Sequence, residues 1–375
     1  MKIAFCKFAG LANGGTEKYL QTVALLHRRA GHDVHFFYTN AAPIAGSSFV
    51  HADNNQDRIE LLSENGVVLV PVSVGYRQDA LMTVSGNGYG YHSQWVNTDF
   101  PSVFKETDYG CLITAGDGRS EYPYSDLHDI KIIHTVHGFH AYNKPNIVKS
   151  VLLCKWQADK WTANGGDVSR AEIIPPLVSV PQSWTRTFRE RHSIPPDALV
   201  YGLHQGNGVG SLVSLQAFAS LKNSNCYFAL LGGSAVHRQY CAEHNIKNVI
   251  FLDATSSVND IHDFLDGIDV YAHCRVDGEV ASACIIEAMA HSKPLISFIG
   301  DGTNLGHVEQ LNGCGRMTYS VEEYADEMTR LLDEKYRTDA SARVAEKYKT
   351  VYDYRLVENK FLTLTMETCN DNGRS

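Results

Sequence analysis

Two glutamates eight residues apart, Glu279 and Glu287, stand in the run Asp277-Gly278-Glu279-Val280-Ala281-Ser282-Ala283-Cys284-Ile285-Ile286-Glu287-Ala288-Met289-Ala290. On one continuous helix that spacing would turn the second carboxylate about 80° from the first. The Asp277-Gly278 pair breaks the backbone just ahead of Glu279, so the first acid belongs in a loop and the second on a short apolar helix. Between them lies a helix N-terminus, with free N–H groups around Ser282 and Ala283. Amides of this kind hold phosphate, and the flanking carboxylates accept hydroxyl hydrogens. A nucleotide sugar presents both kinds of group. Glu287 is surrounded by Ile285, Ile286, Ala288 and Met289, and a carboxylate in apolar company needs a hydrogen-bonding partner. A ligand hydroxyl is one such partner. An ordinary helix carrying two unrelated acids is the alternative that the residues leave open.

Three other segments carry side chains or backbone suited to binding. Gly14-Gly15-Thr16-Glu17 lies where a first strand gives way to a first helix, and paired glycines let amides approach a ligand closely. It lacks the G-x-G-x-x-G spacing of a dinucleotide site. His134-Thr135-Val136-His137-Gly138-Phe139-His140 ends another strand. Alternation along a strand throws His134 and His137 to opposite faces, which opposes a zinc reading and leaves His137 facing a ligand. Leu203-His204-Gln205-Gly206-Asn207-Gly208-Val209-Gly210 is a glycine-rich turn able to cradle phosphate or simply to connect. No Lys or Arg lies between Tyr201 and Leu221 to assist it.

The elements that position these residues alternate in type. Ile3 to Phe8, Val34 to Tyr38, Val67 to Val70, Cys111 to Thr114 and Ile132 to Val136 read as strands, with helices from Thr16 and around Ile59 to Glu64. The proline-bearing stretch Ile174 to Pro196 reads as an interdomain connection. After it the alternation restarts: strands at Leu199 to Leu203, Tyr227 to Leu231, Val249 to Leu252, Ile268 to Ala272 and Leu295 to Phe298, and helices at Ser211 to Leu221, Val321 to Lys335, Ala340 to Tyr352 and about Leu356 to Met366. The expected fold class is α/β, two Rossmann-like, doubly wound parallel sheets in series with ligands at the strand carboxyl ends, in the cleft between halves. The expected domains are 1–182, completed by a crossing-back helix at about 354–368, and 183–353.

With 375 residues the chain has room for two cores. A formal charge of −9 argues against a nucleic-acid partner and against adhesion to anionic membranes. The nine cysteines include no C-x-x-C pair, which suits reduced, buried thiols. Neither a signal peptide nor an 18-residue apolar span is present, so the expected location is cytoplasmic with no transmembrane segment.

Together these residues resemble the GT-B glycosyltransferases, specifically the retaining glycosyltransferase family 4 (glycosyl transferases group 1). Glu279 to Ala290 is similar to that family's E-x7-E region, and Ser292-Lys293-Pro294-Leu295 to the G-x-P-V that follows. Gly14-Gly15-Thr16-Glu17 resembles its acceptor-side loop, Thr135-Val136-His137-Gly138 its strand-end histidine, and Ile173-Ile174-Pro175-Pro176-Leu177-Val178 its I-P-N-G-V. The resemblance runs from residue 1 to about 365. It implies transfer of a sugar from a nucleotide diphosphate-sugar to a carbohydrate or other hydroxyl acceptor, with retention and without a metal or other cofactor; no D-x-D motif is present. Glu279 and His137 would act at the donor sugar and Glu287 on the ribose, with Ser282, Ala283, Gly14 and Gly15 at the diphosphate. Gly233 and Ser234, directly after the Tyr227 to Leu231 strand, join this donor-binding set. The glycine- and tyrosine-rich segment 75–97, with Tyr76, Tyr89, Tyr91 and Trp95, would meet the acceptor.

The chain also departs from the family. The Arg and Lys that neutralise the leaving diphosphate fall at His204 and Val209, and Gly-Phe-Gly becomes Val280-Ala281-Ser282. Each such donor contributes on the order of 3 kcal/mol to leaving-group stabilisation. Arg275, Arg238, Lys144 and Arg119 are candidate replacements, with Arg275 preferred because it stands four residues before Glu279. A catalytically silent binding protein and a UDP-sugar epimerase remain as alternatives.

Overall fold

The computed structural model describes residues 1–7, 10–12, 14–39, 55–73, 98–120, 123–204, 211–221 and 225–370. The expected acceptor segment 75–97, the turn 205–210 with Val209, and the tail 371–375 lie outside the described residues. Two compact units form, one from Met1–Leu177 with Glu358–Ser375 and the other from Val178–Val357. The first boundary falls within the proline-bearing stretch, and the second inside the last helix, Tyr354–Asn370.

In the first unit β1 (Lys2–Lys7), β2 (Asp33–Thr39), β3 (Val68–Val72), β4 (Cys111–Gly116), β5 (Ile132–Val136), β6 (Ile147–Leu152) and β7 (Ala171–Ile173) make one parallel sheet in the order β3-β2-β1-β4-β5-β6-β7. Residues on both faces of β4 and β5 are buried, which is why those strands read as continuous apolar runs. β6 and β7 escaped the sequence reading because both carry charge. Lys149 of one donates to Glu172 of the other at 2.8 Å. The helix Gly15–Arg29 buries Leu20, Val23, Ala24 and Leu26 and ends on Arg28 and Arg29, the sign its C-terminal dipole favours. His27 is fully buried and its ring is pushed down to about 4 by burial. Its Nδ1 donates to the Val23 carbonyl and its Nε2 accepts from the Thr365 hydroxyl at 3.0 Å, which ties the last helix into this unit.

The second unit contains β8 (Leu199–His204), β9 (Cys226–Leu231), β10 (Val249–Leu252), β11 (Val270–His273), β12 (Gly278–Glu279), β13 (Leu295–Phe298), β14 (Asn304–Leu305) and β15 (Arg316–Thr318). Its main sheet is parallel in the order β10-β9-β8-β11-β13-β15, and β12 pairs only with β14. Both units are therefore doubly wound, and the strand order reverses between β1 and β4 and between β8 and β11. Ligands in such sheets gather outside the carboxyl ends of the strands at these reversals.

One anchor of the second unit is Asp263, completely buried. It accepts the N–H groups of Thr187 at 2.7 Å and Phe188 at 3.1 Å and pairs with Arg191, fastening the incoming chain. The expected helix over 321–335 stops earlier. Val321–Arg330 ends, and Asp333 caps the next helix, Glu334–Lys347, by accepting from Tyr336 N–H at 2.7 Å. Among the described residues no helix is long and apolar enough to cross a membrane.

Candidate functional site

Glu279 is held by its backbone before its side chain acts. β11 ends at His273, and the chain turns through Arg275 and Asp277 into β12. Gly278 at this turn has φ +67°, and a Cβ there would lie 2.0 Å from the Asn304 carbonyl oxygen, so the β12–β14 pairing accepts only glycine. The Glu279 N–H donates to His307 Nδ1 at 3.2 Å, while His307 Nε2 donates to the Phe298 carbonyl at 3.2 Å. That fixes a neutral ring, and burial pushes it down to about 4.

The Glu279 carboxylate accepts from Arg275 Nη1 at 3.2 Å and lies 3.9 Å from His273 Nε2. Burial alone would raise its pKa. The His273 ring and the Arg275 guanidinium outweigh burial and hold it below the ordinary carboxylate range. Arg275 also donates to Asp277 through Nε at 2.5 Å and Nη2 at 3.1 Å. Its guanidinium, expected as a substitute diphosphate cation, thus stands between two carboxylates that offset its single charge.

The helix Ala283–Ala290 carries the second acid. Its cap, Ser282, does not offer its amide as expected, because that N–H donates to Gln310 Oε1 at 2.9 Å and Gln310 Nε2 returns a bond to the Ser282 carbonyl at 3.1 Å. The Ser282 hydroxyl accepts instead from Ile285 N–H at 3.4 Å. Ala283 and Cys284 are the first helical residues, and their amides have no carbonyl within the helix to meet.

Glu287 Oε2 lies 2.6 Å from His204 Nε2, at the end of β8. His204 is 6% exposed, and burial would lower its pKa, yet Cys284 and Glu287 outweigh that and push it up to about 10. Where the family resemblance has an arginine, this chain therefore holds a cationic ring already joined to Glu287. Among the described residues, His204, Cys284 and Glu287 bring metal-capable atoms within 4.8 Å of one another. Beside them His262 Nδ1 and His291 Nε2 are 2.7 Å apart under the Trp184 ring, and burial pushes His291 down to about 3.

Ser234 caps the helix Ala235–Glu243, and His237 Nδ1 accepts both its hydroxyl at 2.7 Å and its N–H at 3.2 Å. Its polar groups are thus committed to the cap. Gly233 packs against the Phe251 ring, 3.0 Å from where a Cβ would stand.

The first unit gathers its own cluster around β1 and β5. Lys7 is 8% exposed, donates to the Ala115 carbonyl at 3.2 Å and pairs with Glu17 Oε1 at 3.2 Å. Glu17 crosses directly over Gly14, where a Cβ would lie 2.0 Å from Glu17 Oε2, whereas nothing stands within 4 Å of the corresponding point on Gly15. His137 follows β5 with its N–H on the Gly116 carbonyl at 2.7 Å and its ring edge-on to Tyr19. Burial, reinforced by Lys7, pushes this ring down to about 3, and Nε2 is enclosed without a hydrogen-bond partner. Gln157, fully buried, clamps the His137 turn by donating to the carbonyls of Val136 at 2.7 Å and Gly138 at 2.8 Å.

Gln157, His307 and Gln310 were invisible to sequence reasoning because each acts on a backbone group far along the chain. Cys284 did carry a signal, the i, i+3 spacing to Glu287 that puts both on one helix face.

The model of the family described as Glycosyl transferases group 1 matches residues 196–334, within the second unit. No curated protein matches the chain by sequence. Among solved structures, a glycosyltransferase from Rickettsia africae is similar at 14% identity with a TM-score of 0.72, covering 99% of each chain. Anabaena HepE in complex with UDP and glucose gives 14% and 0.71, covering 98% of this chain and 100% of its own. Sucrose-phosphate synthase from Thermosynechococcus elongatus gives 14% and 0.71 over 98% of each. These likenesses show the fold, which is GT-B, and the family model agrees with the group 1 resemblance of the sequence.

Proposed function

We propose that this GT-B chain, whose residues 196–334 match the group 1 glycosyl transferases, moves a sugar from a nucleotide diphosphate-sugar to an acceptor hydroxyl with retention of configuration. The observation that carries the reading is the pair of open amides at Ala283 and Cys284, set between the Glu279 and Glu287 carboxylates beyond the β8/β11 reversal. A diphosphate takes the amides and the helix dipole. Glu279, kept ionised by Arg275 and His273, accepts from hydroxyls of the donor sugar, and Glu287, paired with His204, accepts from the ribose. In the first unit, His137 is the neutral ring that the family resemblance assigns to the donor sugar, and Gly15 leaves room for a phosphate or acceptor, with nothing within 4 Å of where a Cβ would stand. Catalysis on this reading is positioning and leaving-group stabilisation. The nine cysteines form no disulfide, which supports a reducing, cytoplasmic setting.

A second reading has a specific observation behind it. Arg275 and His204 are each paired with carboxylate, so a silent nucleotide-sugar binder is the rival. A panel of UDP-, GDP- and dTDP-sugars decides between them, with free nucleotide diphosphate and thermal shift measured together. Release of nucleotide with sugar transferred to an acceptor supports the transferase. Stabilisation without release, across a broad acceptor panel, supports the silent binder, and neither signal with any donor defeats both.

A further inference from the structure

We propose that His204, Cys284 and Glu287 form a binding site for one divalent transition metal of the zinc class. The argument uses the second unit alone and stands whether or not the donor reading does. His204 ends β8, while Cys284 and Glu287 sit three residues apart on the first turns of Ala283–Ala290, so one strand end and one helix face supply all three. Their ligand atoms already lie within 4.8 Å of one another. The donor set is one imidazole nitrogen, one thiol sulfur and one carboxylate oxygen. That mixture suits zinc over magnesium or calcium, which prefer oxygen alone.

One detail sets the cluster apart from a simple ion pair. Cys284 adds a third donor: its sulfur meets the His204 ring beside Glu287 and completes the cluster. Cys284 is partly exposed and gives a route of entry. Three protein ligands leave a fourth tetrahedral position open. Loading replaces protons with the ion: the thiol and the imidazolium each release one, and sulfur and nitrogen lone pairs bind the metal. The metal-free expectation came from the family resemblance, with the lack of a D-x-D motif in agreement, and this arrangement uses no such motif.

The test uses the full chain, stripped with a chelator and reloaded with Zn2+ or Co2+ alone. One ion per chain is expected by elemental analysis, with protons released on binding. Cobalt should give a sulfur-to-metal charge-transfer absorption that Cys284→Ser abolishes, and Cys284→Ser and His204→Gln should each weaken affinity at least about tenfold. If a variant does not fold, the parent protein still decides. Zinc should slow alkylation of Cys284 by iodoacetamide and leave Cys369, the other partly exposed cysteine, unaffected. Failure to retain stoichiometric metal, equal labelling of Cys284 with and without zinc, or an unchanged cobalt spectrum in a folded Cys284→Ser protein overturns the proposal.

Discussion

Replacing Glu287 with glutamine removes one charge and leaves the shape nearly intact, so it isolates what the His204–Glu287 pair contributes. The pair is a 2.6 Å contact to a ring that is 6% exposed. A hydrogen bond to a charged group contributes about 1.5–3 kcal/mol. The proton linkage sets an upper limit. His204 moves from 6.5 to about 10, a gap that corresponds to about 5 kcal/mol shared between Glu287 and Cys284. Because the folded pKa is raised, the stabilisation is complete below pH 6.5, declines as the pH climbs, and is gone above about 10. The parent protein should therefore exceed Glu287→Gln by about 2 kcal/mol near pH 6, or about 4–8 °C in Tm for a unit of this size, and the two should converge near pH 10. Thermal denaturation followed across that range, together with the His204 ring signal by NMR, reads both quantities. Parallel stability curves, or a parent His204 that titrates near 6.5, would refute the reasoning.

Other outcomes follow from the same geometry. Glu279→Ala should lower turnover on the order of a hundredfold while leaving nucleotide affinity within about threefold, measured as kcat against the Kd for UDP. Gly278→Ala forces a side chain at φ +67° into the Asn304 carbonyl, and should cost about 1–3 kcal/mol by urea denaturation and reduce transfer as Glu279 shifts. Asp263→Ala leaves Arg191 and the Thr187 and Phe188 amides without their acceptor at a fully buried position, so the second unit should lose about 3–5 kcal/mol. A lowered urea midpoint with unchanged slope is the expected signature of both stability losses.

Most of the sheet strands were legible because doubly wound sheets are built from apolar runs, and β1, β4, β5, β10 and β13 are such runs. Strands that mix in charge, such as β6 and β7, were not. The helix break at Asp333 was missed because capping depends on where one carboxylate turns, not on hydrophobic period. At the site, residue types and spacing singled out Glu279 and Glu287 as the pair flanking a helix N-terminus, with an ordinary helix as the open alternative. Pairings were another matter. That Arg275 would settle on Asp277, that Gln310 would take the Ser282 amide, and that His204 would meet Glu287 are all contacts across loops or between distant segments. Residue identity predicts that such groups need partners, and only the fold selects which.

The membership of the last helix has a bearing on biosynthesis. Residues 1–177 emerge first, but the segment from Glu358 that packs on His27 through Thr365 and Phe361 follows 180 residues later. At ordinary translation rates that delay is on the order of ten to forty seconds. Throughout it, His27 of the Gly15–Arg29 helix lacks the cover of Phe361 and Thr365 that it has in the finished chain. A fragment released at residue 177 should remain in that state and aggregate, and adding a peptide of residues 354–370 in trans should rescue it.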